Sequence, residues 1–493
     1  MSRARSRLAA LPRAALVCAA IAVANAVCWA AITPTFWVPD EVSHVGFAQH
    51  IGETGTLPSD LDAGDPGEGP GPSEEQNFLS QSLPFSVEGR PSWSPARDRQ
   101  LSSELERGSF DRTRAGQGLA ANVHPPLYYL AEAVPYRLAR GGSLIDRVMA
   151  MRLLSALLAG VTVLFTFLFL RELLPRSPWA WTVGALVTAF QPVLGFLAGG
   201  VNNDNLTFAA SAALFYGIAR AFRRGLSLSE GAIIGSAVAV GALTKGSMLA
   251  LLPGVAFALA ALLWRTPSAA RRRALLAAGL AVAAAALPWA AWSVYARIFV
   301  GANPAPAAGL ASDSATAGLD VLREQLSYMW QAYLPRLPFM ADQFPYYPPW
   351  EVYFKGFIGR FGWFEYGFPD VWYRVAGALF VPIVGLAGLA VVRARRALRG
   401  RWAEVAAYAL MAAGLAVALE VVAYRYHKVV NQSAFFEQAR YLFPLLPLYA
   451  ALVALAVKGA GRRWGPAVGA FLVVLAMGHS LFSQLITISR FYA

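Results

Sequence analysis

Charge is scarce in this chain. Only 14% of its 493 residues are charged, against 57% hydrophobic. A water-soluble body of that size needs a more polar surface, so the composition implies a multispanning membrane protein. Cysteine is scarcer still: Cys18 and Cys28 both sit in the first apolar run, and no disulfide framework follows from them. No Walker loop or dinucleotide fingerprint stands in a strand-turn-helix context, which argues against ATP or NAD use. Four of the five histidines, His44, His50, His124 and His427, fall in polar segments, but no pair has compact zinc spacing. Acids are also few. Lys and Arg outnumber Asp and Glu by 42 to 29, yet the basic residues cluster between apolar runs, which is a topology signal and not a nucleic-acid footprint.

What is abundant is long apolar sequence. Runs recur at 14–36, 147–170, 178–199, 206–222, 230–244, 247–264, 272–295, 372–392, 403–424, 441–458 and 465–487. Each is near the ~20 residues that cross ~30 Å of hydrocarbon. The first follows a basic start like that of a signal peptide but is long enough to span, and reads as an uncleaved transmembrane helix. Residues 124–142, interrupted by Glu132, Pro135 and Arg137, are short for a span and suit an amphipathic surface helix. An extra span there would invert everything after it. With eleven spans and the N-terminus inside, every basic cluster falls on one side, from Arg3, Arg5, Arg7 and Arg13 through Arg223, Arg224 and Arg271–Arg273 to Lys458, Arg462 and Arg463. The expected fold is an all-α polytopic membrane protein of about eleven helices. The chain forms a single integral membrane domain, 1–493, with its C-terminus outside.

This topology exposes two long outer segments, 37–146 and 296–371, and leaves only short inner connections. The chemistry is therefore expected outside. The stretch 57–76 is rich in Gly, Pro, Ser and acids and reads as a mobile segment or a lid. Residues 334–370 are dense in Trp, Tyr, Phe and Pro, the composition of an interfacial platform or an apolar groove.

Within the outer segments, "PDEVSH" places Asp40, Glu41 and His44 just past the first span. A helix starting at Pro39 would set Asp40 and His44 on one face. A carboxylate there suits a general base or a divalent-ion anchor, and it equally suits a helix dipole. "NNDN" brings Asp204 to the same side, so Asp40 and Asp204 are candidate ligands for Mg²⁺ or Mn²⁺ bridging to phosphate. "VHPPLYYL" holds His124 at the start of the surface helix, where it is a substrate contact or incidental. Lys245 in "LTKG" is basic on the outer side, against the general trend, and suits either lipid phosphate or snorkelling. Arg440 in "ARYLFPLLP" suits bidentate phosphate recognition. Lys245, Arg440 and either Arg360 or Lys428 would make a cationic collar for a phosphate head group beside the two acids.

In order along the chain, "PDE", "HPPLYY", "NND", "LTKG" and "ARYLFPLLP" resemble the motifs of the C-type glycosyltransferase superfamily, multispanning enzymes that use sugars carried on polyprenyl phosphate. "NND", "FGW" and "RYLFPLLP" resemble, more narrowly, a branch of predicted membrane proteins of that superfamily. The resemblance covers nearly the whole chain. It implies that Asp40 is the catalytic carboxylate, acting as base on the acceptor, and that Asp204 is a second acid near the metal or carrier phosphate. It also places His124, Lys245 and Arg440 at donor or phosphate contacts. The large soluble C-terminal domain of some relatives is missing after the last span.

The expected activity is transfer of one sugar from a polyprenyl-phosphate donor to a cell-envelope glycan, lipid or protein, on the periplasmic or exterior face of the cell membrane. Membrane lipids are the other expected partner, and nucleic acid is not. The rival is a transporter or flippase of lipid-linked sugars. Its pathway should carry ionisable residues deep in several spans, but here Glu420 is the main exception to spans nearly free of them, and no internal repeat is visible.

Overall fold

The computed structural model describes residues 11–58, 72–82, 94–113, 124–300, 319–345, 348–429 and 436–492. Most of the expected lid, residues 59–71, lies outside the described residues. The described chain is helical apart from one small antiparallel hairpin, in which Arg360–Phe361 pairs with Tyr366–Gly367. Among the described residues eight helices are long and apolar enough to cross a membrane, from Arg13–Ile32 to Gly461–Phe491. A ninth segment is a broken pair, Pro178–Ala189 and Pro192–Ala198, bent by 57°. Two more of the expected runs are helices that fall short of a span by that measure: Asp204–Arg224, which carries polar residues along its length, and Leu228–Ala242, which is only 15 residues long. The protein is thus an all-α polytopic membrane protein, with every expected apolar run in helix.

The Asp204–Arg224 helix lies at the centre, packed on Leu144–Leu173 and on Leu228–Ala242. Phe169, Phe215 and Tyr408 meet edge-on or tilted in that core, with ring centroids 5.5–5.7 Å apart. The first apolar helix, Arg13–Ile32, is part of a second core. Its Trp29 is fully buried against Phe196 and Phe361. The segment at 124–142 forms a helix over Leu127–Leu138, whose twelve residues reach only ~18 Å, too short to span. Tyr128, Tyr129, Glu132 and Tyr136 face inward, while Leu130, Val134 and Leu138, four residues apart, are exposed as on an interfacial helix.

The break at Pro192 matters for the site. Proline has no N–H and biases the residue before it away from helical ψ, and Gln191 takes ψ 117° and caps the next turn through a 2.6 Å bond to Leu194 N. The redirected chain then passes through Gly199 and Gly200. A Cβ on Gly199 would lie 2.7 Å from the backbone nitrogen of Ala30, and one on Gly200 would lie 2.4 Å from Val38 Cγ2. These close approaches dock the "NND" loop on the "PDE" turn. Gly199→Ala is expected to cost about 1–3 kcal/mol, as overpacking does. Thermal unfolding in detergent reads this out, and an unchanged Tm would contradict it.

Candidate functional site

The first helix ends at Ile32, and the chain makes a tight turn in which Phe36 and Asp40 both take left-handed backbone, φ 69° and 64°. For non-glycine residues that conformation costs ~1–2 kcal/mol each. Glu41 holds the turn. Its Oε2 accepts from Phe36 N at 2.8 Å and from Arg152 Nη2 at 2.7 Å, and its Oε1 accepts from Arg152 Nε at 2.8 Å and Val201 N at 2.9 Å. Arg152 also donates to the carbonyls of Ala30, Thr33 and Pro34. Asn202 Nδ2 bonds Pro39 O at 3.0 Å, and its side-chain oxygen accepts from Asp204 N at 2.9 Å. The two acidic loops are thereby fixed as one unit.

Asp40 precedes the helix Glu41–Thr54 but makes no side-chain cap bond to it. Its carboxylate turns instead to Arg440, with Oδ2 2.5 Å from Nη2. Asp204 Oδ1 accepts from Lys245 Nζ at 2.6 Å, and its Oδ2 lies 3.8 Å from Arg440 Nη1. Two acids and two bases therefore alternate as Asp40–Arg440–Asp204–Lys245. The Tyr441 ring lies 5.1 Å from Lys245 Nζ and 5.3 Å from the Arg440 guanidinium. Side-chain exposure rises from Asp204 (2%) and Arg440 (5%) through Lys245 (13%) to Asp40 (25%), so Asp40 is the member open to a ligand. Asp204 Oδ2 and Arg440 Nε are buried without a hydrogen bond. Both can take a further polar partner.

His44 and His124 form one wall, their rings stacked 6.3 Å apart. His44 Nδ1 lies 2.9 Å from the Tyr129 hydroxyl, which also accepts from Asn203 Nδ2 at 3.3 Å. Burial pulls the His44 imidazole down to about 4, against the pull of Asp40, and holds His124 well below its ordinary value, so both are neutral near pH 7. Burial opposes ionisation of Asp40 as well, but the Arg440 guanidinium, helped by Lys245, outweighs it and holds its carboxyl below the usual carboxylate range.

Asp40, His44, His124, Asp204, Lys245 and Arg440 are thus gathered at one site. Glu41 is not available to a substrate: it is buried, and both oxygens are used in the turn. Asp40 lies in left-handed backbone just before the helix that Glu41 opens, so the two adjacent acids face different ways, and Glu41 supports the position of Asp40. Arg360 is also elsewhere. It is exposed on the hairpin, near Tyr373 and Asp370. The side chain of Lys428 lies outside the described residues. Arg152, Tyr129, Asn203 and Tyr441 complete the site without having been singled out. Arg152 had a usable signal, an arginine set inside the apolar run at 147–170, past the Arg147 that opens it.

Where the sequence suggests hard-oxygen ligands for a metal, the acids face cations. Each carboxylate already faces a cation at 2.5–2.6 Å, and His44 Nδ1 is engaged by Tyr129. Among the described residues no three His, Cys, Asp or Glu converge. A divalent ion would enter beside Lys245 and Arg440 and meet like charge.

Fold and site together define a polytopic helical membrane protein with a buried, charge-alternating polar site at one end of its bundle. The chain belongs to the family described as Predicted membrane protein (DUF2142), whose model matches residues 25–449. No curated protein matches it. Among solved structures it is similar to apo ArnT from Cupriavidus metallidurans, with a TM-score of 0.48 and 13% identity over 94% of this chain and 75% of that one. It is also similar to the oligosaccharyltransferase AglB from Archaeoglobus fulgidus, solved with an inhibitory peptide and a dolichol-phosphate, with a TM-score of 0.46 and 14% identity over 96% of this chain and 56% of that one.

Proposed function

We propose that this protein is a glycosyltransferase of the cell (inner) membrane that moves a single sugar from a polyprenyl-phosphate carrier to a cell-envelope glycan, lipid or protein, on the periplasmic or exterior face. The observation that carries the reading is the partly open, ionised carboxylate of Asp40 beside two cations suited to phosphate. Nucleotide sugars are cytoplasmic, so an outward site needs a lipid-phosphate donor. Two features support the outward placement. Asp204 and Arg224 begin and end one 21-residue helix, which puts the site and the inner arginines about 30 Å apart. The loop charges orient the arginine end inward.

Asp40 accepts the proton of the acceptor hydroxyl as that oxygen attacks the anomeric carbon. The bond from that carbon to the phosphate oxygen breaks, and its electron pair leaves with polyprenyl phosphate. Arg440 and Lys245 hold the growing negative charge. Asp204 keeps Lys245 aimed, and the neutral His44 and His124 line the site without adding charge. Direct displacement inverts the anomeric centre. A product of retained configuration would refute the role given to Asp40.

The experiment uses proteoliposomes loaded with a polyprenyl-phosphate sugar and an envelope acceptor preparation. Transfer releases polyprenyl phosphate and labels the acceptor. Equilibration of intact lipid-linked sugar across the bilayer, with no release, would replace this reading with the transporter.

The acid limb of activity is a further expectation. Because the Asp40 pKa is depressed, its base form persists as pH falls through the ordinary carboxylate value of about 3.9 and is lost only below it. The ion-pair contribution to stability disappears over the same low-pH window. The pH profile of kcat/KM should therefore show no limb assignable to Asp40 above about pH 4, and Arg440→Gln should move that limb upward. A wild-type limb near pH 6 would contradict the assignment.

A further inference from the structure

The other end of the bundle holds a second charged site. Arg223 and Arg224, at the last turn of the Asp204–Arg224 helix, reach the rim of a cavity of about 990 Å³ that Arg265, Arg273 and Arg401 also line. Among the described residues Glu172 and Glu404 are the only acids in its lining, so five positive charges face two negative ones. Both acids are already spent: Glu172 pairs with Arg223 and Arg224, and Glu404 is held by Arg401 at 2.7 and 2.8 Å. Arg265 donates to the carbonyl of Gly400, and among the described residues neither it nor Arg273 has a carboxylate in ion-pair range.

A second observation points the same way. The helix Ser268–Tyr295 opens onto this cavity with no side-chain cap and no acid in its first turn. Arg271 ends that turn, and Arg272 and Arg273 follow at the start of the next. Cations at a helix N-terminus oppose the helix dipole, and its free N–H groups want an acceptor. One anion answers both demands and the unmatched charge of the lining. The remaining wall is apolar, with Phe222, Leu262 and Leu276 in it, and Leu276 and the neighbouring Trp264 are largely exposed.

We propose that this cavity binds the headgroup phosphate of an anionic phospholipid, whose acyl chains run along the apolar wall. Basic pockets between spans on the inner side of a membrane suit such a headgroup. A free phosphate shares the headgroup chemistry but has no use for the wall.

The test is thermal unfolding of the full chain in neutral detergent with phosphatidylglycerol, phosphatidylcholine or inorganic phosphate added. Phosphatidylglycerol should raise Tm by several degrees and saturate, and the two other additions should not. Arg265→Gln with Arg273→Gln should abolish the shift, while Asp40→Asn, remote from this cavity, should keep it. An equal shift with phosphatidylcholine, or a shift that survives in the double variant, overturns the proposal. A shift with inorganic phosphate that matches the lipid also overturns it and assigns the cavity to a soluble anion. If the double variant unfolds by itself, the wild type decides. Its phosphatidylglycerol affinity should weaken as salt rises from about 0.05 to 0.3 M, and salt-independent binding contradicts the assignment.

Discussion

Asp40→Asn is expected to lower the rate of sugar transfer by about 10²–10⁴-fold, the usual worth of a positioned general base. The substitution keeps the shape of the side chain and an oxygen that can still accept from Arg440, so the fold should survive. Donor binding should survive as well, because Lys245 and Arg440 remain. The loss should therefore appear in kcat, with KM for the lipid donor little changed. The alternative role, an acid that only complements a helix terminus, predicts the reverse: a small loss of stability and full activity. The geometry already disfavours it, since Asp40 makes no cap bond and faces Arg440 across 400 residues of chain. A variant with wild-type kcat would remove Asp40 from the chemistry.

The second large effect is structural. Arg152→Ala would leave Glu41 charged, buried and without its cation, and would strip donors from three carbonyls. Breaking one side of a buried pair typically costs about 3–5 kcal/mol. Because Glu41 holds the left-handed turn, transfer activity should fall with stability, although neither residue touches substrate. Glu41→Gln combined with Arg152→Met removes both charges and should recover part of the lost Tm, since replacing a whole buried pair is often nearly neutral. A double variant no more stable than Arg152→Ala would show that the pair does not organise the turn. Denaturation in detergent measures both.

Much of this architecture is visible in sequence because the bilayer imposes length and apolarity on each span. The same logic separates Leu127–Leu138 from the spans, through its charges and proline. The motif positions were also legible: Asp40, Asp204, Lys245 and Arg440 each stand out against apolar surroundings. Their pairing was not. Nothing local says that Asp40 meets Arg440 while Asp204 meets Lys245, because those contacts depend on how helices far apart in sequence pack. Glu41 shows the same limit at the scale of one residue. It is a carboxylate next to Asp40, but the left-handed turn at Asp40 and the helix that starts at Glu41 send it into the bundle to meet Arg152. Arg360 failed for another reason. The hairpin around it depends on positive φ at Gly359, Gly362 and Phe364, and that backbone path, invisible in a charge count, carries Arg360 away from the cluster.

The measurement that bears most directly on the central claim is single-turnover release of polyprenyl phosphate from a purified polyprenyl-phosphate sugar, with wild type and Asp40→Asn compared at equal donor occupancy. The account predicts release by the wild type in the presence of acceptor, and release slowed by orders of magnitude in the variant at unchanged occupancy. Equal rates from the two proteins, or a wild type that binds the donor and never releases the carrier, would contradict it.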